Sequence, residues 1–128
     1  MRTSVPPDQV EWPAIAVDRE DKLILPTNEG LEFVPLDRIV AFSAEGNYTT
    51  IFTGRDRYVA SKTLKAFEQR LLETCFLRVH RSHMINIKKV KAYKRGTKSF
   101  LVMDNNLEFE VGQSRKQAVL ALIRKIFY

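Results

Sequence analysis

The residue types best suited to chemistry lie in one short segment that holds two histidines, a serine and a cysteine. Cys75, His80 and His83 are candidate zinc ligands, and Ser82 with His80 is a candidate nucleophile and base. A zinc site needs three or four ligands, but no cysteine or histidine follows His83 to supply a second ligand pair. Ser82 and His80 stand too close along the chain to face each other readily. We therefore predict no catalytic residue, no cofactor and no metal, and we expect Cys75 to be a small buried hydrophobe.

Basic side chains give a stronger signal than these nucleophiles and ligands. The net charge of +6 divides into −5 over residues 1–50 and +11 over residues 51–128. Eight of the cations fall between residues 78 and 98 with no acidic residue among them, so we expect them to be unscreened. They are Arg78, Arg81, Lys88, Lys89, Lys91, Lys94, Arg95 and Lys98. Such a field attracts polyanions, and nucleic acid is a better candidate than an anionic membrane surface.

Length and composition limit the class of protein that can present these cations. The chain has 128 residues, 45% of them hydrophobic and 28% charged, which is typical of one globular domain. The longest apolar run, Ala118–Ile123, is too short to cross a bilayer, so no membrane insertion is expected. A single cysteine and the lack of a secretory signal favour a cytoplasmic protein. We predict a flexible lead-in over residues 1–13 and one domain over residues 14–128.

Most of the domain is predicted to be β-structure, because short apolar runs alternate with turn residues. The segment 107–111 alternates cleanly, which places Leu107, Phe109 and Val111 on one buried face. We also expect a hairpin turn at 104–106 and expect Tyr48 to pack in the sheet. The predicted strands are Ala14–Val17, Lys22–Leu25, Leu31–Val34, Ile39–Ala44, Tyr48–Thr53, Tyr58–Ala60, Val90–Arg95, Phe100–Asp104 and Leu107–Val111, with apolar anchors and cations interleaved over Phe76–Ile87.

Two amphipathic helices complete the predicted mainly β, α+β fold. The first is expected over Ser61–Leu72 with Ser61 as its N-cap, and the last after Ser114 as cap. Neither helix carries the continuous basic face of a DNA-recognition helix, so loops would do most of any DNA reading. The core-facing stripes are Leu64, Phe67, Leu71 and Leu72 in the first helix and Val119, Leu122, Ile123, Ile126 and Phe127 in the last.

Four sequence blocks resemble the LytTR DNA-binding domain, the output domain of LytR/AlgR-type bacterial response regulators. The blocks span about residues 14–128 in the family's order. The most specific is Phe-x-Arg-x-His-Arg-Ser-x-x-x-Asn at 76–86, and the Glu-Gly-Asn-Tyr block at 45–48 supports it. The other two are the helix segment 61–72 and the Ser-Arg pair at 114–115.

The resemblance implies a mainly β domain that docks loops into successive major grooves of promoter DNA. Two copies, a homodimer on DNA, would occupy repeated half-sites. The DNA-facing loops would be 45–48, 78–86 and 112–116, with base contacts from Asn47, Arg81 and Arg115. His80 would contact the DNA backbone or orient its loop through a backbone hydrogen bond, and Asn86 would close the loop structurally. The other phosphate contacts implied are Ser82, Lys88, Lys89, Lys91, Ser114 and Lys116.

The sequence departs from the family pattern at two positions and in one larger feature. His83 stands where an aromatic residue is common, and Gly112-Gln113 where proline is common. Family members usually carry an N-terminal receiver domain of a two-component system, which the short lead-in cannot form. The chain would then be a stand-alone regulator or an excised output domain.

Two other functions fit parts of the sequence. One is a protein-interaction module whose acidic residues 1–50 dock a basic partner. The other is a non-specific RNA-binding domain that stacks bases on Phe76, Tyr93 or Phe100. Alternation along the strands is expected to bury most of these aromatic rings, which weakens the second reading.

Overall fold

The computed structural model describes residues 15–72 and 74–127, which form eleven strands and two α-helices. The predicted lead-in, residues 1–13, and Ala14 lie outside the described residues. The helices are α1 (Leu64–Arg70) and α2 (Lys116–Phe127). The strands are β1 (Ala16–Val17), β2 (Lys22–Thr27), β3 (Gly30–Pro35), β4 (Ile39–Glu45), β5 (Tyr48–Thr53), β6 (Arg57–Ala60), β7 (Phe76–His80), β8 (His83–Asn86), β9 (Val90–Lys94), β10 (Ser99–Met103) and β11 (Glu108–Val111).

The strands form three antiparallel sheets. A five-stranded central sheet has the order β6-β5-β4-β8-β7, and the two three-stranded sheets have the orders β1-β2-β3 and β11-β10-β9. The predicted mainly β architecture with two helices is confirmed. Short 3-10 helices follow β3 and β8 and precede α2, at Leu36–Arg38, Ile87–Lys89 and Gln113–Arg115.

Two hydrophobic clusters cover the two faces of the central sheet. Successive side chains of a strand point to opposite faces, so Phe42 of β4 joins the cluster that contains the β1-β2-β3 sheet and α1, while Ala41 joins the cluster that contains the β11-β10-β9 sheet and α2. Val40 shares the side of Ala41 because the pairing of β4 with β5 is irregular between residues 39 and 41. Burial on both faces explains why the whole of 39–42 is apolar.

The first helix is shorter than predicted, and its predicted cap is wrong. Ser61 follows directly on β6, whose last residue Ala60 still pairs with Thr49 of β5. Thr63 is the N-cap instead, and its hydroxyl oxygen accepts a hydrogen bond from the amide of Ala66 at 3.2 Å. Because the helix ends at Arg70, the predicted helical stripe does not extend to Leu72, which is 70% exposed.

Three further expectations at element ends are corrected. Ser114 lies inside the 3-10 helix at 113–115, and α2 begins two residues later at Lys116. Leu107 is exposed because the pairing of β11 begins only at Glu108, opposite Val102. In α2, Val119 is buried and Leu122 and Ile123 pack partly against the core. Ile126 is 47% exposed, so the apolar stripe tapers toward the end of α2.

Candidate nucleic-acid interface

Three loops meet at one end of the molecule, which we call the loop end and define as residues 45–48, 80–83 and 112–116. Strands β4 and β8 are antiparallel neighbours with Ser43 opposite His83, so the β4–β5 turn lies beside the β7–β8 turn. The amide of Ala44 donates a hydrogen bond to the carbonyl oxygen of Ser82 at 2.8 Å. The two loops are therefore held side by side by backbone contacts.

The third loop is joined to the β7–β8 hairpin from the other side. The amide of Gly112 donates a hydrogen bond to the carbonyl oxygen of Val79 at 2.7 Å. Nη1 of Arg115 donates to the carbonyl oxygen of Arg78 at 3.4 Å. Because the β7–β8 hairpin is bonded to both other loops, through Ser82 on one side and through Arg78 and Val79 of β7 on the other, it occupies the middle of a row of three.

The β4–β5 turn presents Asn47 and Tyr48 to solvent. Gly46 has a positive φ of 61°, which glycine adopts without strain at the first central position of a two-residue hairpin turn. Asn47 is exposed, as its predicted role requires. Tyr48 is 53% exposed, so the prediction that it packs in the sheet is wrong. Tyr48 is the first residue of β5 and pairs with the exposed Glu45.

The β7–β8 turn exposes Arg81 on a fixed backbone. His80 pairs with His83, which leaves only Arg81 and Ser82 in the turn. The amide of Ser82 donates a hydrogen bond to Nδ1 of His80 at 3.0 Å. This is the loop-orienting bond that the sequence suggested for His80, and it requires that Nδ1 carry no proton. Among the described residues, no carboxylate lies within salt-bridge distance of Arg81.

His83 supports the turn from behind. Its ring stacks on His80 at 4.8 Å between centroids and meets the ring of Phe109 edge-on at 5.3 Å. Nδ1 of His83 lies 3.1 Å from the hydroxyl oxygen of Ser43. Burial lowers the pKa of His83, and the neighbouring His80 lowers it further. The histidine thus fills an aromatic packing position beside Phe109 of the hydrophobic cluster that contains β9, β10 and β11.

Seven of the predicted contact residues come together at the loop end, whereas three do not. Lys88, Lys89 and Lys91 follow β8, and that four-residue strand places them about 13 Å or more from the turn at Arg81. Lys89 and Lys91 lie near the β10–β11 turn instead, where Nζ of Lys89 lies 3.8 Å from Oδ2 of Asp104 and Nζ of Lys91 donates to Oδ1 of Asn106 at 2.7 Å. The residues brought together are Asn47, His80, Arg81, Ser82, Ser114, Arg115 and Lys116.

Three of the eight cations expected to be unscreened are paired with carboxylates. Arg78 contacts Glu68 at 2.7 Å, Lys94 contacts Glu108 at 3.3 Å and Lys89 contacts Asp104 at 3.8 Å. The partners lie 10 to 15 residues away along the chain. No local sequence pattern could have revealed these pairs, because the packing of α1 and the hairpin pairing of β9, β10 and β11 bring them together.

Asn86 has the structural role that the sequence assigned to it. Its side chain is 1% exposed, and Nδ2 donates to the carbonyl oxygen of Ile39 at 2.9 Å. Oδ1 accepts from the amide of Lys88 at 3.0 Å and so caps the following 3-10 helix. Asn86 therefore joins β8 to the start of β4.

The candidate zinc ligands are not assembled into one group. Cys75 precedes β7, whereas His80 ends it, so the strand separates the thiol from both histidines. Cys75 is half buried against both hydrophobic clusters, and burial raises its pKa. Within residues 15–72 and 74–127, no three metal-binding side chains form a cluster. None of the helices in the described chain is long and apolar enough to span a membrane.

Comparison with known proteins gives the family and the fold. The model of the LytTr DNA-binding domain family matches residues 29–124. A solved LytTr DNA-binding domain from Bacillus cereus superposes with a TM-score of 0.70 at 26% identity, covering 80% of this chain and 95% of that one.

Two curated relatives are transcriptional regulators. The haem-containing CO-sensing transcriptional regulator RcoM 1 of Paraburkholderia xenovorans (strain LB400) is 36% identical over 80% of this chain. The transcriptional regulatory protein LytR of Staphylococcus aureus (strain N315) is 26% identical over 74% of it. The matches cover only 36% and 39% of those two proteins. On the extent of the family match, the chain belongs to the LytTr DNA-binding domain family, a family of DNA-binding domains of transcriptional regulators rather than of enzymes.

Proposed function

We propose that this domain binds duplex DNA sequence-specifically through the loop end, without catalysis, and regulates transcription in the cytoplasm. The row of three hydrogen-bonded loops is the observation that carries the proposal. The loops of the loop end would enter successive major grooves, where their side chains would read base edges. Two copies would bind repeated half-sites as a homodimer on DNA.

Three side chains of the loop end have the chemistry needed to read base edges. Arg81 and Arg115 offer planar forks that match the O6/N7 edge of guanine, and Asn47 offers the amide that matches adenine. Arg81 and Asn47 are exposed, and Arg115 is half buried. Each of the three stands on a different loop, so they sample different positions along the duplex.

Phosphate contacts would come from the neighbours of these side chains. Lys116 supplies a positive charge at the start of α2, and Ser114 and Ser82 supply hydroxyl donors. His80 would contact the DNA backbone through its ring edge while its Nδ1 holds the turn. Lys88, Lys89 and Lys91 are left out of the proposed interface because they lie at the other end of β8.

Base stacking on single-stranded RNA has less support. Phe76 is 7% exposed and belongs to the core cluster of α1, so its face is not available to a base. Tyr93 and Phe100 are half buried. Stacking of successive bases requires several exposed aromatic rings on one surface.

A selected-site experiment tests the proposed function. The 128-residue chain is used to enrich duplexes from a randomised pool, and Kd is measured for the enriched duplex, a scrambled duplex and single-stranded RNA of equal length. Arg81→Ala is expected to weaken binding to the enriched duplex by about 1–3 kcal/mol and to relax the preference at one base position. Equal losses on the enriched and scrambled duplexes would remove Arg81 from base reading, and failure to enrich any duplex would refute sequence-specific binding.

A further inference from the structure

Arg78 makes an unusual set of contacts for a residue in a basic segment. Its side chain is only 15% exposed, and Nη1 contacts Oε1 of Glu68 in α1 at 2.7 Å. Nε donates a hydrogen bond to the carbonyl oxygen of His80 at 3.0 Å, and Nη2 donates to the carbonyl oxygen of Arg81. The guanidinium therefore joins α1 to two consecutive backbone carbonyls of the β7–β8 turn.

These bonds complete the fixation of the turn backbone. The carbonyl oxygens of His80 and Arg81 accept from Arg78, and the carbonyl oxygen of Ser82 accepts from Ala44. The amide of Ser82 is held by Nδ1 of His80. Every carbonyl of the segment 80–82 thus has a partner inside the protein, while the side chain of Arg81 remains exposed.

The same residue also reaches the third loop through its own backbone. Nη1 of Arg115 donates to the carbonyl oxygen of Arg78 at 3.4 Å. Arg78 consequently contacts the loops that carry two of the three proposed base-reading side chains. Its charge is offset by Glu68, so it contributes little to the attraction of DNA.

We propose that Arg78 is a positioning residue for DNA recognition, which orders the β7–β8 turn so that Arg81 meets the bases in a fixed geometry. The inference rests on the proposed function and goes beyond it, because Arg78 itself touches no DNA. The base contacts of an arginine side chain depend on the angle and depth at which its guanidinium enters the groove. A turn that is already ordered in the free protein sets that geometry and loses less conformational entropy on binding. Lysine cannot replace Arg78, because a single ammonium cannot bond Glu68 and two carbonyls in this planar arrangement.

The test compares three proteins: the wild-type chain, Arg78→Lys and Glu68→Gln. Arg78→Lys keeps the net charge, and Glu68→Gln leaves Arg78 in place but removes the charge of its partner. The measured quantity is the ratio of Kd for a scrambled duplex to Kd for the enriched duplex, since general charge effects cancel in that ratio. We expect Arg78→Lys to lower the ratio about tenfold and Glu68→Gln to lower it about threefold, because the amide oxygen still accepts a weaker hydrogen bond. Affinity for the scrambled duplex should stay close to that of the wild type in Arg78→Lys.

A second readout is independent of DNA. Amide ¹⁵N relaxation in the free protein should show increased motion of Arg81 and Ser82 in Arg78→Lys, with the central β10 residue Leu101 unchanged. Lys98→Ala, which removes an exposed cation outside the loop end, is the matched control and should alter neither readout.

Three outcomes separate the inference from the proposed function. If the wild-type chain shows no preference for any duplex, the proposed function fails. If it does show one and folded Arg78→Lys keeps the wild-type ratio, only the positioning role of Arg78 is overturned. If Arg78→Lys does not fold, an unchanged ratio in Glu68→Gln overturns it.

Discussion

Removing the side-chain amide of Asn86 should destabilise the domain without changing the proposed DNA-binding surface. The side chain is 1% exposed and makes two hydrogen bonds, from Nδ2 to the carbonyl oxygen of Ile39 and from the amide of Lys88 to Oδ1. Asn86→Ala removes both bonds and leaves two backbone groups without these partners. Each lost bond costs about 0.5–1.5 kcal/mol, and a group left buried and unsatisfied costs about 1–3 kcal/mol.

The expected loss in the free energy of unfolding is therefore about 2–4 kcal/mol. Unfolding entropy near 60 °C is about 2.1 cal/mol/K per residue, so a domain of 128 residues loses about 4 °C in Tm for each kcal/mol. Asn86→Ala should lower Tm by roughly 7–15 °C. Urea unfolding followed by far-UV circular dichroism measures the free energy, and a thermal scan measures Tm.

Asn47→Ala is the matched control, since it removes the same amide from an exposed turn. Its free energy of unfolding should stay within about 0.5 kcal/mol of the wild type, while its preference for the enriched duplex should fall. Folded Asn86→Ala, measured well below its Tm, should keep the wild-type preference. If Asn86→Ala is as stable as the wild type, Asn86 does not have the structural role assigned to it. If Asn47→Ala loses as much stability as Asn86→Ala, the two asparagines do not differ in role as proposed.

Three further predictions concern salt, pH and backbone conformation. Lys116→Ala should weaken binding to all duplexes by the same factor and lower the slope of log Kd against log salt concentration by about one unit. Lys89→Ala, at the other end of β8, should leave that slope unchanged in the same salt series. Burial first, and then His80, lowers the pKa of His83 below 6.5, so the unfolded chain binds more protons and the free energy of unfolding should fall as the pH drops below 6.5. His83→Phe should reduce that fall in urea unfolding at about pH 7.5 and about pH 5.5, and an identical fall in both proteins would contradict the assignment. Gly112 has φ −64° and ψ 145°, which alanine also adopts, and an added Cβ would lie at an ordinary contact distance of 3.7 Å from His80. Gly112→Ala should therefore raise the free energy of unfolding by about 0.4–1 kcal/mol. A lower Tm in Gly112→Ala would contradict this description of the loop.

Strand positions outside 76–86, where β7 and β8 were not predicted as strands, and the helix faces near their centres follow from local sequence. The observed β5 coincides with the predicted Tyr48–Thr53, because alternation and flanking turn residues act over a few positions. Leu64, Phe67 and Leu71 are buried as predicted, but Leu72 and Leu107 are not. Both failures lie at element ends: α1 ends at Arg70, before Leu72, and the pairing of β11 with β10 begins at Glu108, after Leu107.

The sequence by itself determined the class of molecule, its basic second half and the order of the three loops, since composition and motif order do not depend on packing. Only the tertiary structure decided which cations are free. Arg81 and Arg78 are three positions apart, yet one is exposed and the other is held between Glu68 and the carbonyls of the turn. Lys88 follows Arg81 closely in sequence, but β8 carries it to the opposite end of the sheet. An extended strand moves about 3.3 Å per residue, so neighbours in sequence separate while residues from distant strands meet.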